Sequence, residues 1–269
     1  MQIGSMKRVQ TICGEVRVAW HCLGHGPPLV LLHGGYGTWK HWIRNIEELS
    51  KEYWVLAPDM PGFGESDDPD DLHSLGSIAR PILAGLDELI GSQEAYAVGA
   101  FSFGGSVAAA MVRSCASRMK ALILVGSGGL RVRRPPPVQL LPWRHLSSEV
   151  ERRAVHLHNL AVFMFSDPSR IDSTSVDIQA SNTRMARVKS RPLSSLGLLH
   201  DVLGEYEGRL CGIWGEDDAT ARGYISDRCQ LLRSFHPNTP FYTIPEAGHW
   251  VQYERHKEVN VLMLDFLRR

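Results

Sequence analysis

One serine stands in a setting that could make it a nucleophile. Ser102 follows the apolar run of residues 95–99 and lies between two small residues, Ala100 and Gly104. Small residues at these positions permit a tight turn from a strand into a helix without Cβ clashes. Such a turn exposes the hydroxyl at the carboxyl end of a sheet and directs the backbone N–H of Phe103 towards a developing oxyanion.

A serine hydroxyl needs a base, because in its neutral form it is a poor nucleophile. The chain has 12 histidines, but only His249 directly follows the last predicted strand, residues 240–244. The topology places that loop at the same sheet edge as Ser102. His249 is therefore the candidate base.

A base of this kind is held in the correct tautomer by a carboxylate. Three acids, Glu216, Asp217 and Asp218, follow the predicted strand of residues 209–214. The residue types alone leave the choice among the three open. The chain order of serine, acid and histidine agrees with a nucleophile of this type.

A second oxyanion donor should come from the loop after the first buried strand. The apolar run of residues 28–33 ends in His33-Gly34-Gly35, and glycine lets the backbone approach a substrate closely. The backbone N–H of Gly35 is the candidate donor.

The elements that must position these residues alternate along the chain. Short apolar runs are predicted as buried strands at residues 28–33, 54–57, 95–99 and 121–125, with an edge hairpin at 11–23. Helical spacing of apolar residues predicts helices between them, including one across residues 39–49. The pattern predicts an α/β fold with a mostly parallel central sheet and helices on both faces.

The alternation is interrupted once, after residue 127, and resumes at about residue 207. The interruption begins with a basic, proline-rich stretch, residues 131–137, and continues with helical patterns at 148–165 and 172–188. We interpret residues 131–206 as an inserted helical cap, and residues 7–130 and 207–269 as the core domain.

Composition excludes several classes of protein. Lys plus Arg equals Asp plus Glu at 29 each, which gives no support to nucleic acid or an anionic membrane as partner. No apolar run has the length of a membrane span, and the first eight residues lack the apolar core of a secretory signal. The five cysteines are scattered without metal-ligand spacing. We expect a cytoplasmic protein with reduced thiols, no metal and no cofactor, and homo-oligomerisation stays open.

Four sequence blocks together resemble the α/β-hydrolase superfamily, in its cap-bearing serine-hydrolase branch. They are His33–Gly35, Pro58–Ser66, the Ser102 turn, and Gly215–Asp218 with Gly248-His249. The resemblance covers nearly the whole chain, the cap least. It implies the α/β-hydrolase fold and selects Asp218 among the three acids. An aspartate-nucleophile dehalogenase or epoxide hydrolase is disfavoured by Ser102.

Within the superfamily, the sequence after His249 resembles the hydrolases that split carbon–carbon bonds in ring-fission products. There, the tryptophan after the histidine, here Trp250, borders the substrate, and a cap arginine holds its carboxylate. Arg187 and Arg191 are the candidates, with a solvated basic helix face as the alternative. Tyr36–Trp39 and Phe101 depart from that subgroup, so a carboxylesterase or lactonase stays equally open.

The resulting expectation is a serine hydrolase that cleaves an acyl bond of a small molecule, either an ester or lactone or the C–C bond of a ring-fission ketone. Phe163 and Met164 in the cap are expected to line an apolar pocket, although their helical spacing also suits cap core. The alternative is a small-ligand receptor of the same fold with slow turnover.

Overall fold

The computed structural model describes residues 6–269, so most of the segment on which a secretory signal was judged lies outside the described residues. These residues form one eight-stranded sheet. The strands are β1 (Lys7–Cys13), β2 (Val16–Leu23), β3 (Pro28–Leu32), β4 (Trp54–Pro58), β5 (Tyr96–Phe101), β6 (Met119–Val125), β7 (Arg209–Gly215) and β8 (Phe241–Ile244).

The order across the sheet is β1-β2-β4-β3-β5-β6-β7-β8. β1 and β2 form the predicted antiparallel hairpin at the edge, and β2 is also antiparallel to β4. All later neighbours are parallel. The carboxyl ends of β3, β5, β6, β7 and β8 therefore meet at one edge, which is where the candidate residues were expected.

The helices are α1 (Ile46–Leu49), α2 (Leu75–Ile90), α3 (Phe103–Cys115), α4 (Glu149–Phe163), α5 (Ser173–Met185), α6 (Ser190–Ser195), α7 (Leu198–Val202), α8 (Ile225–Phe235), α9 (Val251–Glu254) and α10 (His256–Leu267). α2, α3 and α7 contribute to one apolar cluster, and α1, α9 and α10 to another. The strand residues are shared between the two clusters, as expected of a sheet covered on both faces. The predicted α/β architecture is confirmed.

The helix predicted across residues 39–49 is not continuous in the structure. The apolar spacing of residues 39–49 predicted one helix, but the chain forms a 3-10 turn over Trp39–Trp42 and then the separate helix α1. Between them, the side chain of Asn45 donates to Asn260 Oδ1 at 2.8 Å. The backbone of Asn45 has φ −114°, which departs from helical values and separates the 3-10 turn from α1.

The stretch between β6 and β7 contains four helices, α4 to α7, and no strand. Its first part, residues 131–137, has no regular secondary structure. α4 and α5 pack on each other, and Leu160 and Val176 from these helices belong to the same apolar cluster as α10. The helices predicted at 148–165 and 172–188 are confirmed, with slightly shorter bounds.

Two further expectations concern the whole chain. All five cysteines are unpaired, which agrees with the expected free thiols. Over residues 6–269, no helix combines the length and apolarity that crossing a bilayer would require.

Candidate active site

Ser102 occupies a sharp turn between β5 and α3. Its backbone has φ 50° and ψ −111°, a conformation that is costly for a residue with a side chain. The turn brings Gly104 against β3, where an added Cβ would lie 2.7 Å from the carbonyl oxygen of Leu32. Glycine at 104 is therefore required by close packing, and the strained turn presents the hydroxyl of Ser102 at the strand end.

The Ser102 hydroxyl contacts a histidine from the loop after β8. Ser102 Oγ lies 2.9 Å from His249 Nε2, and His249 Nδ1 lies 2.9 Å from both carboxylate oxygens of Asp218. The carboxylate accepts from Nδ1–H, which leaves Nε2 as the acceptor for the serine proton. His249 is 3% exposed and Asp218 is fully buried, so water competes little with these bonds.

Asp218 is the only one of the three neighbouring acids that is buried. Its Oδ1 also accepts from the backbone N–H and the hydroxyl of Thr220, both at 2.7 Å. Burial alone would raise its pKa, but the charge and hydrogen bond of His249 and the bonds from Thr220 hold the pKa below its ordinary value. Asp217 instead accepts from the hydroxyl of Ser166 at 2.6 Å, and Glu216 is exposed.

The two candidate oxyanion donors flank the serine. Phe103 is the first residue of α3, so its N–H has no acceptor within the helix. Gly35 lies opposite, and an added Cβ there would be 2.1 Å from Ser190 Oγ. Both residues line the cavity in front of Ser102. Within residues 6–269, neither N–H donates to a backbone or side-chain acceptor, which leaves both free for a substrate oxygen.

Two buried histidines hold the glycine loop that carries Gly35. His33 Nδ1 lies 2.8 Å from the carbonyl oxygen of Gly34, and the N–H of Gly34 donates to His41 Nδ1 at 3.1 Å. Burial lowers the pKa of His33 to about 4. Burial, with the charges of His33 and His249, places the pKa of His41 well below its ordinary value. Both rings are therefore neutral at pH 7, and their hydrogen bonds fix the conformation of the glycine loop.

A cavity of about 180 Å³ lies in front of Ser102, and we call it the first cavity. Its walls combine aromatic and aliphatic side chains with arginines. The wall includes the side chains of Phe163, Met164, Arg134, Arg191, Arg228 and His249.

A second cavity of about 430 Å³ continues from the first beneath the helical segment. The two cavities share Gly35, Tyr36, His41, Leu140, Phe163 and Met164. The second cavity then extends between Leu141, Trp143, Asn159 and Gln179. Together they form a two-part space with the reactive side chains in the first part.

The tentative substrate-binding residues divide into two groups. Phe163, Met164 and Arg191 line the first cavity. Trp250 lines neither cavity, since it is fully buried and donates its indole N–H to the carbonyl oxygen of His41 at 2.9 Å. Arg187 also lies elsewhere, where it pairs with Asp68 and donates to backbone carbonyls at the surface.

Several residues of the site carry no clear signal in the sequence. Arg228 and Arg134 line the first cavity but come from a helix and an irregular stretch that sequence patterns treat as ordinary surface. Thr220 could have been found, because a threonine two residues after an aspartate often donates to that carboxylate. His41 is one histidine among 12, and only packing distinguishes it.

The sheet order and the strand-end serine define the class as an α/β hydrolase. The family model for the alpha/beta hydrolase fold matches residues 27–256, and the chain belongs to this family. The predicted resemblance is thereby confirmed.

Several similar proteins are hydrolases named for dienoate, dienedioate or meta-cleavage-product substrates. The chain is 29% identical to a 2-hydroxy-6-oxo-6-phenylhexa-2,4-dienoate hydrolase of Burkholderia cepacia, over 93% of this chain and 91% of that protein. It is 28% identical to a 2-hydroxy-6-oxononadienedioate/2-hydroxy-6-oxononatrienedioate hydrolase of Comamonas testosteroni, over 93% and 91%. A meta-cleavage product hydrolase from Pseudomonas fluorescens IP01 superposes with a TM-score of 0.79 at 22% identity, over 98% of each chain.

Proposed function

We propose that the protein is a serine hydrolase that cleaves an acyl bond, with Ser102 as nucleophile, His249 as base and Asp218 as the residue that orients the base. The observation that carries this proposal is the continuous chain of hydrogen bonds at 2.9 Å from Ser102 through His249 to Asp218. The strained turn at Ser102 and the free N–H groups of Gly35 and Phe103 support the same chemistry.

In the proposed reaction, Ser102 Oγ bonds to the substrate carbonyl carbon while His249 Nε2 takes the hydroxyl proton. The N–H groups of Gly35 and Phe103 stabilise the oxyanion, each lowering the barrier by about 3 kcal/mol. When the tetrahedral intermediate collapses, the bond to the leaving group breaks and His249 returns a proton to it. Water then attacks the acyl-serine with His249 again as base.

The bond that we favour is the C–C bond beside a ketone in a carboxylate-bearing ring-fission product. The relatives from Burkholderia cepacia and Comamonas testosteroni are named for such substrates. The first cavity supports the choice, because three arginines and no Asp or Glu line it. The substrate must be in its keto form, so that cleavage releases a stabilised carbanion that takes up the proton.

An ester or lactone is the second candidate for the bond. Phe101, the residue before the serine, places its ring 5.1 Å from the imidazole of His249. The apolar contact at this position departs from the C–C hydrolase pattern and suits a simple acyl group.

We further propose that residues 131–206 act as a cap over a core of residues 7–130 and 207–269. Support comes from the cavity walls, since Leu140, Phe163 and Arg191 from this stretch face Ser102 and His249 from the core. A cap of this kind would exclude water and select the substrate. The cytoplasmic location stays a prediction.

The test is steady-state turnover by the wild type and Ser102→Ala on a p-nitrophenyl ester and on a dienol ring-fission ketone. We expect turnover that Ser102→Ala reduces by about 10⁴-fold or more. Faster turnover of the ketone would select C–C cleavage, and faster turnover of the ester would select the second candidate. Wild-type turnover that survives in Ser102→Ala would contradict the role of Ser102 as nucleophile. Absence of turnover on both substrates would contradict the proposal and favour a receptor.

A further inference from the structure

Three arginines face the first cavity from different parts of the chain. Arg134 comes from the irregular stretch after β6, Arg191 from α6 and Arg228 from α8. The other titratable side chains at the wall are Tyr36, His41 and His249. The lining residues include no carboxylate, so the wall as a whole carries an excess of positive charge.

Arg228 differs from the other two because it is only 3% exposed. Its guanidinium donates to the carbonyl oxygens of Tyr224 at 2.8 Å, Thr220 at 2.9 Å and Arg133 at 3.2 Å. A guanidinium has five N–H donors. These three bonds engage at most three of them, all from Nη1 and Nη2, and Nε–H is left without an acceptor among the described residues.

The positive charge of Arg228 has no carboxylate within ion-pair distance in the part of the chain that the structure describes. The nearby acids have other partners, since Asp227 pairs with Arg133 and Asp218 with His249. Burial lowers the pKa of the Arg228 guanidinium and the charge of Arg134 adds to that shift, while the charges of Asp218 and Asp227 oppose it. A buried guanidinium stays protonated and is normally paired, because an unpaired buried charge is costly.

Arg134 brings a second cation to the same wall. It is exposed and forms no ion pair within residues 6–269. An added Cβ on Gly128 would lie 3.9 Å from Arg134 Nη2, and the N–H of Gly128 donates to the carbonyl oxygen of Ser102 at 3.1 Å. Arg134 therefore lies beside the segment that bonds to the Ser102 turn, and Arg228 lies at the Asp218 loop through its bond to the carbonyl oxygen of Thr220.

We infer that Arg228, assisted by Arg134, is the anion-binding subsite of the first cavity and takes the carboxylate of the substrate. That the bound carboxylate belongs to a substrate rests on the proposed function. The anion-binding subsite itself depends only on the residues that line the cavity. A carboxylate at this position would accept hydrogen bonds from the free N–H donors of Arg228. It would also supply the negative partner that the buried guanidinium lacks. The acyl carbon would then lie in front of Ser102.

The assignment differs from the one that the sequence suggested. Arg187 is engaged with Asp68 away from the cavity. Arg191 is exposed and also lines an outer cleft with Tyr36 and Pro137, so it stands at the mouth. An exposed guanidinium is well solvated and gains less from binding a carboxylate than a buried one. The same holds for Arg134, which therefore has only an assisting role beside the buried Arg228. Arg228 from the core, together with Arg134 from the inserted segment, would then bind the charged group of the ligand.

The experiment is calorimetric titration of the protein with hexanoate and with hexanamide, which have similar size and differ in charge. In the wild type, we expect hexanoate to bind at least about tenfold more tightly. Arg228→Met should remove this preference, and Arg191→Met, the matched control at the cavity mouth, should keep most of it. Arg134→Met should reduce it by an intermediate factor.

Thermal melts establish that each variant is folded. If Arg228→Met does not fold, Arg228→Lys serves instead, because it keeps the charge but not the fork, and a partial loss of preference is expected. Equal binding of the two ligands by the wild type would overturn the inference, as would a preference that Arg191→Met removes and Arg228→Met or Arg228→Lys leaves intact. Binding needs no turnover, so a protein that prefers hexanoate but hydrolyses nothing would refute the proposed function alone.

Discussion

The two cavities share a wall but differ in how their polar groups are satisfied. In the first, Asp218 and His249 satisfy each other, while the buried charge of Arg228 has no carboxylate within ion-pair distance among residues 6–269. The second extends between Leu141, Trp143 and other side chains, and its one arginine, Arg144, donates to the carbonyl oxygen of Thr183 at 2.7 Å. The difference indicates a division of roles: the first cavity would govern reaction and charge, and the second would accommodate the uncharged part of a substrate.

The largest expected effect lies in the first cavity, at Asp218. Asp218→Asn keeps the shape but weakens the hold on the tautomer of His249, so we expect kcat to fall by about 10⁴-fold. Steady-state kinetics on whichever substrate is turned over provide the measurement. Asp217→Asn is the matched control, because its carboxylate accepts from Ser166 outside the triad and little change is expected. Comparable losses in the two variants would break the assignment.

The next effect concerns His33 and His41, which hold the glycine loop of the shared wall, and it is an effect on the free energy of unfolding. His33 has a folded pKa of about 4 against 6.5 for an ordinary histidine, because it is buried. The unfolded chain therefore binds more protons below pH 6.5, and the stability present above that pH is lost as pH falls towards 4. At pH 5 the loss is about 2 kcal/mol for this histidine, and His41 acts in the same direction.

One buried acid opposes this trend. Burial raises the pKa of Asp59 to about 6, so its protonation favours the folded state as pH falls. We still expect a net loss, because His21, with a pKa lowered to about 4 by burial, adds to the other two histidines. Urea unfolding at pH 7 and pH 5 checks the sign. Equal or greater free energy of unfolding at pH 5 would contradict the description of these histidines as buried and neutral.

A smaller effect is expected on the preference of the enzyme for acyl groups of different size, which tests the passage between the two cavities. Phe163 lines both, so Phe163→Ala would widen the passage between them and shift the preference in kcat/KM towards bulkier acyl groups by about tenfold. An ester series of increasing chain length measures this shift. Leu157→Ala is the control, since Leu157 lies on the same helix, is 46% exposed and lines neither cavity. An unchanged profile in Phe163→Ala and in Met164→Ala would remove these residues from the substrate pocket.

The smallest effect is expected at Arg187. Its side chain pairs with Asp68 at the surface, where such pairs contribute about 1 kcal/mol or less to stability. Arg187→Met should therefore leave kcat and KM within about twofold of the wild type. A large rise in KM for carboxylate substrates, with none in Arg228→Met, would reverse our reading of the two arginines.

The sequence by itself determined the α/β architecture and the strand ends at which Ser102, Asp218 and His249 stand. These depend on local rules: buried strands are short apolar runs, and the carboxyl ends of parallel strands meet at one edge. It also predicted the helices α4 and α5, whose apolar spacing is regular. The one helix predicted across residues 39–49 is wrong, because the backbone of Asn45 departs from helical values at φ −114°, where its side chain also bonds to Asn260.

Only the tertiary structure decided which side chains face the cavities. Arg187 and Arg191 are four residues apart and similar in sequence context, yet one pairs with Asp68 and the other reaches the cavity mouth. Trp250 follows His249 directly but packs beneath it on His41. Arg228 reads as an ordinary helix-surface residue until α8 packs beside the Asp218 loop. Orientation and burial depend on contacts between segments distant in sequence, and no local pattern encodes those contacts.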